Sequence, residues 1–174
     1  IRTLKNTKTH YLENDYRIES LVQILNGLEN SISKLKERMT IYSWYDGILF
    51  LEDTEPIYGL AFIAMQNYIY GTIKDLAETT IDKTMYLKIE PDHKNFSKTK
   101  IELIIGLANF IKHRDEENLH KPTRHILESF NLNPKNEVTT SPIFEGLTIL
   151  NEQWNLREIM EEICHWRTKL LFKV

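Results

Sequence analysis

Apolar residues at Ile18, Leu21, Leu25, Leu28, Ile32, Leu35, Met39 and Tyr42 alternate steps of three and four without a miss. A period of about 3.5 residues makes a seam along a helix of about 25 residues or more. Glu19, Asn30, Lys34, Lys36, Glu37 and Arg38 fill the other faces. Such a helix packs lengthwise at a shallow angle, on another helix of the chain or on its own copy in a dimer.

Thr54-Glu55-Pro56 reads as the next helix start, with Thr54 as cap and Pro56 in the first turn, where its missing N–H costs nothing. Ile57, Leu60, Ala61, Ala64, Tyr68, Ile73, Leu76 and Ala77 follow. From Leu60 to Met65 the chain is apolar on nearly every face, which predicts a central position. Gly59 and Gly71 inside this helix each cost about 1 kcal/mol relative to Ala, and so point to close helix contacts. Met85 to Ile89 suits a short extended segment, and Pro91-Asp92 a turn.

Ser97 reads as the cap of a third helix, with Ile101, Ile104, Ile105, Ala108 and Ile111 on one stripe and the charged run Lys112 to Glu117 at its end. A fourth starts near Asn118 or Lys121, carries Pro122 in its first turn and buries Leu119, Ile126, Leu127 and Phe130. Asn131 to Gly146, with Asn-Pro, Ser-Pro and Gly, reads as a surface loop. Leu156, Ile159, Met160, Ile163, Trp166 and Leu170 mark the last helix. With no repeat and no second boundary, the pattern predicts one all-α domain over residues 1–174, an up-and-down bundle of about five helices.

Composition agrees, since 41% hydrophobic and 27% charged residues over 174 positions are enough to bury a core. No apolar run approaches the roughly 18 to 20 residues of a bilayer span, so no membrane partner is expected. The first residues lack the order of a signal peptide, and Cys164 as the single thiol excludes an internal disulfide framework; a reducing, cytoplasmic setting is the expectation.

The net charge of −3 exerts no global pull on nucleic acid, so any RNA contact has to be local. The most basic stretch runs through Lys94, Lys98, Lys100, Lys112, His113, Arg114, Lys121, Arg124 and His125, diluted by Glu102, Asp115, Glu116 and Glu117. Solvated helix faces account for such charges equally well.

Within that stretch, the segment from Gly106 to His120 contains Arg114, a polar Asp115 after it, and His120 after five intervening residues. It resembles the signature of HEPN domains, in which an Arg, usually followed by a polar residue, precedes a His by four to six residues. Direct similarity covers about a tenth of the chain. The resemblance implies an all-α bundle with the motif late in the chain and a metal-independent RNase of the kind found in toxin–antitoxin, phage-defence or CRISPR systems, commonly dimeric. RNA, a second copy of the chain and an antitoxin or defence-system protein are the partners it implies, and no cofactor.

On one unbroken helix, positions six apart diverge by about 120°. Pro122 opposes an unbroken helix, because its ring clashes with the carbonyl four residues earlier. A corner between Asp115 and Leu119 lets Arg114 and His120 converge, at a helix N-terminus whose free N–H groups favour an anion. Cleavage without metal needs a proton taken from the 2′-hydroxyl and one given to the leaving 5′-oxygen, transfers that suit an imidazole. His120 is thus the candidate acid or base, Arg114 the phosphate clamp and Asp115 the orienter of one of them. Asn109, Lys112, His113, Lys121 and Arg124 are candidate substrate-binding residues.

Other patterns carry less. Glu117-x-x-His120, Glu162-x-x-His165 and Glu90-x-x-His93 have di-iron carboxylate–His spacing, but the apolar stripe of the second helix offers no further inward carboxylates, and no metal site is assigned. Cys164 and His165, as helix neighbours, point about 100° apart and make no thiol catalyst. Tyr42, Trp44, Tyr45 and Phe50 suit base stacking or, more simply, a plug for the end of the core. The competing functional reading is a non-catalytic interaction module that mates through the Ile18–Tyr42 seam.

Overall fold

A computed structural model describes residues 14–77, 82–116, 118–134 and 137–173. Glu117, and with it the Glu117-x-x-His120 pair, lies outside the described residues. Seven α-helices are present among them and no strand: α1 (Ile18–Ile41), α2 (Gly47–Ala77), α3 (Thr84–Leu87), α4 (Lys100–His113), α5 (Lys121–Ser129), α6 (Pro142–Leu150) and α7 (Leu156–Lys173). A 3-10 turn spans Val138–Thr140.

The described residues form helices and no strand, as the apolar periodicity predicts, but four local readings differ. The second helix does not start at Thr54; it begins at Gly47, where Asp46 Oδ1 accepts the N–H groups of Ile48 and Leu49 at 3.0 Å each. Pro56 therefore sits inside α2, not in its first turn. Its cost is limited because Pro56 and Glu52, whose carbonyl loses its partner, are both exposed to water. Thr54 is buried and turns its hydroxyl back to the Phe50 carbonyl at 2.6 Å.

Met85–Ile89 is not extended: Thr84–Leu87 form a helical turn, locked where the Trp166 indole N–H donates to the Tyr86 carbonyl at 2.8 Å. Thr99, not Ser97, caps α4 through a reciprocal capping box with Glu102. The expected loop from Asn131 to Gly146 contains the 3-10 turn and the start of α6, whose N-cap Ser141 accepts the Ile143 N–H at 3.2 Å with Pro142 in the first turn.

One apolar core joins all seven helices, centred on α2 and α4. Every residue from Ile101 to Ala108 of α4 is buried. Glycines set how closely α4 is approached, among them Gly59 and Gly106. A Cβ at Gly59 of α2 would lie 2.5 Å from Ile111 Cγ1, and one at Gly106 of α4 would lie 2.6 Å from Ile126 Cγ2 of α5. Gly71 likewise lets the Arg17 guanidinium come close to α2. The seam of α1 is used unevenly. Leu21 and Leu25 are buried and Leu28, Ile32 and Leu35 partly so, whereas Met39 and Tyr42 are exposed. Of the aromatic group beyond α1, Tyr45 is buried outside the contiguous core, under the Arg38 guanidinium and with its hydroxyl donating to Asp53, while Tyr42 and Trp44 are exposed, so the expected plug of the core is not formed.

No helix among the described residues is long and apolar enough to cross a membrane.

Candidate functional site

The corner between α4 and α5 follows from its local chemistry. α4 runs out at His113, with Arg114 as its C-cap residue still in helical conformation, and the Glu116 N–H closes a turn on the His113 carbonyl at 3.1 Å. His120, extended at φ −53° and ψ 131°, is the N-cap of α5, and Pro122 stands in the first turn. A Pro at this position gives up no intrahelical bond but blocks helix continuation from upstream. Arg114 therefore closes one helix and His120 opens the next.

The guanidinium of Arg114 is turned towards α2. Its Nη1 donates to Glu55 Oε2 at 2.9 Å, while Asp115 Oδ1 lies 3.7 Å from its Nε and the Asp115 side chain is 96% exposed. The carboxylate in hydrogen-bond contact with Arg114 is thus Glu55. The other oxygen of Glu55 accepts the hydroxyl of Ser141, which in turn caps α6. Glu55 ties together the end of α4, the start of α6 and the middle of α2. A guanidinium has five N–H donors, and Nη2 of Arg114 has no partner among the described residues.

One turn earlier on α4, Asn109 and Lys112 meet on a single side chain. Gln66 of α2 is buried, donates Nε2–H to Asn109 Oδ1 at 2.9 Å and accepts from Lys112 Nζ. Partial desolvation pulls the Lys112 ammonium below the usual lysine range. His113 is engaged by Glu116, with Nδ1 at 2.6 Å from its carboxylate oxygen. His120, Lys121, Arg124 and His125 are exposed, and the His120 imidazole has no hydrogen-bond or ion-pair partner among the described residues.

The sequence-nominated residues therefore fall into four groups: Asn109 with Lys112 through Gln66, His113 with Glu116, Arg114 with Glu55 and Asp115, and His120 with the open basic face of α5. No hydrogen bond, ion pair or ring contact joins Arg114 to His120 among the described residues. The basic stretch also divides. Lys98 and Lys100 pair with Glu102 and Glu162 at the opposite end of α4, about 20 Å away at 1.5 Å per residue.

No family model, curated protein or solved structure matches the chain. The groups present are a fixed cation with spare donors at the end of α4, and an exposed imidazole at the N-terminus of α5.

Glu55, Gln66 and Ser141 are the residues that sequence reasoning missed. Gln66 had a signal, as the one amide among Phe62, Met65, Ile69 and Ile73 on the buried face of α2. Glu55 was masked by Pro56, whose presence argued for a helix start rather than an interior turn.

Proposed function

We propose that this chain is a metal-independent endoribonuclease of HEPN type, an up-and-down helical bundle acting as a toxin or phage-defence component. The observation that carries the reading is the α4–α5 corner, where the motif arginine ends one helix and the motif histidine begins the next. In this reading Arg114 clamps a phosphate with the donors that Glu55 leaves free, and Glu55 takes the positioning part otherwise assigned to Asp115. His120 takes the proton from the 2′-hydroxyl as that oxygen attacks phosphorus, or gives one to the leaving 5′-oxygen as the P–O bond breaks. A second copy of the chain contributes the other acid–base group from its own His120. Asn109, Lys112, His113, Lys121 and Arg124 carry the flanking RNA backbone.

Alanine variants at Arg114 and His120 test it. Each loses RNA cleavage and any growth toxicity while His120→Ala keeps its melting temperature; cleavage retained in either variant removes the assignment.

A second reading is favoured by one observation, the open apolar groove between α1 and α2. Ile24 is 48% and Leu60 55% exposed along it, so part of the first helix pair is left uncovered. That surface supports a non-catalytic interaction module pairing through the Ile18–Tyr42 helix.

A further inference from the structure

A second concave region lies away from the α4–α5 corner, where α1 and α2 meet the α6–α7 turn. It is a groove of about 510 Å³, with Glu29, Lys36, Met39, Phe50, Tyr58 and Trp154 among its walls. That volume is in the range of small-molecule sites, which combine apolar and aromatic walls with a few convergent polar groups.

Two rings form its corner. Tyr58 and Trp154 stand nearly perpendicular, with centroids 5.9 Å apart and planes at 82°, and Phe144 stacks on Trp154 at 5.1 Å and 24°. Trp154 is held in the left-handed region at φ 55°, a conformation that a bulky residue rarely adopts. The turn imposes it. Asn151 Oδ1 accepts the N–H groups of Gln153 and Asn155 at 3.1 and 2.9 Å, and the Trp154 indole N–H donates to Thr148 Oγ1 at 2.9 Å.

Two polar groups in the groove are unspent. Tyr58 is only 5% exposed, yet its hydroxyl has no hydrogen-bond partner among the described residues. Glu29 accepts the Leu156 N–H with Oε1 at 3.1 Å, and its other oxygen is unpartnered among those residues. Glu29 has no ion-pair partner among them either: Lys36 is exposed, makes no ion pair with it and stacks on neither ring.

We propose that this groove binds an organic ammonium group, seated in the corner of Tyr58 and Trp154 and balanced by Glu29. The faces of aromatic rings attract cations through their quadrupole, and a neighbouring carboxylate adds Coulomb attraction. Burial and the nearby Glu29 push the Tyr58 phenol up to about 12, so at neutral pH it stays neutral and offers lone pairs to an ammonium N–H. An anionic ligand would meet Glu29 unfavourably and have only Lys36 in its favour. Free polyamines and lysine side chains of a partner protein share the required chemistry.

The test is an NMR titration of the full chain that follows the Trp154 indole N–H, identified by its loss in Trp154→Phe. The probes are tetramethylammonium, spermidine and a terminally blocked Gly-Lys-Gly peptide, with sodium chloride at matched ionic strength and adenosine monophosphate as controls. The three ammonium probes shift the resonance saturably, and the controls do not. Glu29→Gln weakens binding by about fivefold and Lys36→Ala strengthens it. Tyr58→Phe leaves the melting temperature unchanged because no bond is lost. It weakens spermidine by roughly three- to tenfold and spares tetramethylammonium, which has no N–H to donate. Tighter binding of spermidine than of the peptide identifies a free polyamine as the ligand, and the reverse order a lysine side chain. No saturable shift with any ammonium probe overturns the proposal. So does a shift with the nucleotide that Lys36→Ala weakens, or one that sodium chloride reproduces. RNA cleavage does not enter these readouts, so this proposal and the nuclease reading fail separately.

Discussion

Glu55 and Arg114 are 59 residues apart in sequence and meet at 2.9 Å across the α2–α4 contact, with the Arg114 side chain 35% and the Glu55 side chain 15% exposed. Because Glu55 also accepts the Ser141 hydroxyl, this carboxylate couples the aim of the guanidinium to the start of α6. Glu55→Gln keeps the shape and removes the charge. It lowers the unfolding free energy by about 1 kcal/mol, the scale of a partly screened ion pair. Urea denaturation gives that number. On the proposed nuclease reading, RNA cleavage falls in the same variant without vanishing, because Arg114 is still present but less firmly aimed.

The contact at Gly59 fixes where α4 ends relative to α2. A methyl group there meets Ile111 Cγ1 at 2.5 Å, so Gly59→Ala overpacks the interface and costs about 1 to 3 kcal/mol. Adding Ile111→Ala, which removes both Cγ1 and Cδ1, relieves the clash, so the double variant loses less than the sum of the two single losses. A double-mutant cycle on melting temperature checks it, and strict additivity would show that the two side chains do not meet.

The stripe of α4, the seam of α1 and the Pro122 helix start were legible because each depends on spacing within one helix. The Arg114–His120 corner was legible for the same reason, since a proline between two apolar stripes marks a break. The partners of Arg114 were not. Glu55 reaches it only through tertiary packing, and a proline next to Glu55 favoured a boundary that the long apolar face of α2 overrides. Ser141-Pro142 was a helix start by the same capping rule applied elsewhere, but the turn-rich residues before it drew the whole stretch into a loop reading. Thr99 took the cap from Ser97 because Glu102, three residues on, completes the reciprocal pair.

His93 predicts a pH dependence. Its Nδ1 is buried without a hydrogen-bond partner among the described residues, its ring packs at a tilt of 46° against Phe96 with centroids 5.2 Å apart, and burial together with Lys100 and Lys94 holds its pKa below the ordinary histidine value. The folded state therefore binds fewer protons at this site than the unfolded chain. Its contribution to stability is fully present above an unfolded pKa of about 6.5 and is lost as pH falls towards the depressed folded value. Thermal melts from neutral pH down through that window show wild type losing stability faster than His93→Phe, which keeps a ring and cannot be protonated. Parallel curves would show that His93 does not titrate as argued.

The open groove between α1 and α2 separates folding from assembly. Leu25 is buried, so Leu25→Asn unfolds the chain and says nothing about partners. Ile24→Lys and Leu60→Lys place charge on exposed positions and leave the melting temperature of the monomer nearly unchanged. If copies pair through this face, light scattering shows a mass falling from dimer to monomer in those variants. A monomeric wild type would end the pairing role of this surface.

The nuclease reading is tested most directly by the ends left on RNA incubated with the protein in excess chelator. Attack by the 2′-hydroxyl leaves a 2′,3′-cyclic phosphate on one fragment and a 5′-hydroxyl on the other, and the account predicts both ends for wild type and neither for His120→Ala. Fragments bearing 5′-phosphates, cleavage that stops when metal is withdrawn, or the same cyclic ends from the His120 variant would contradict it.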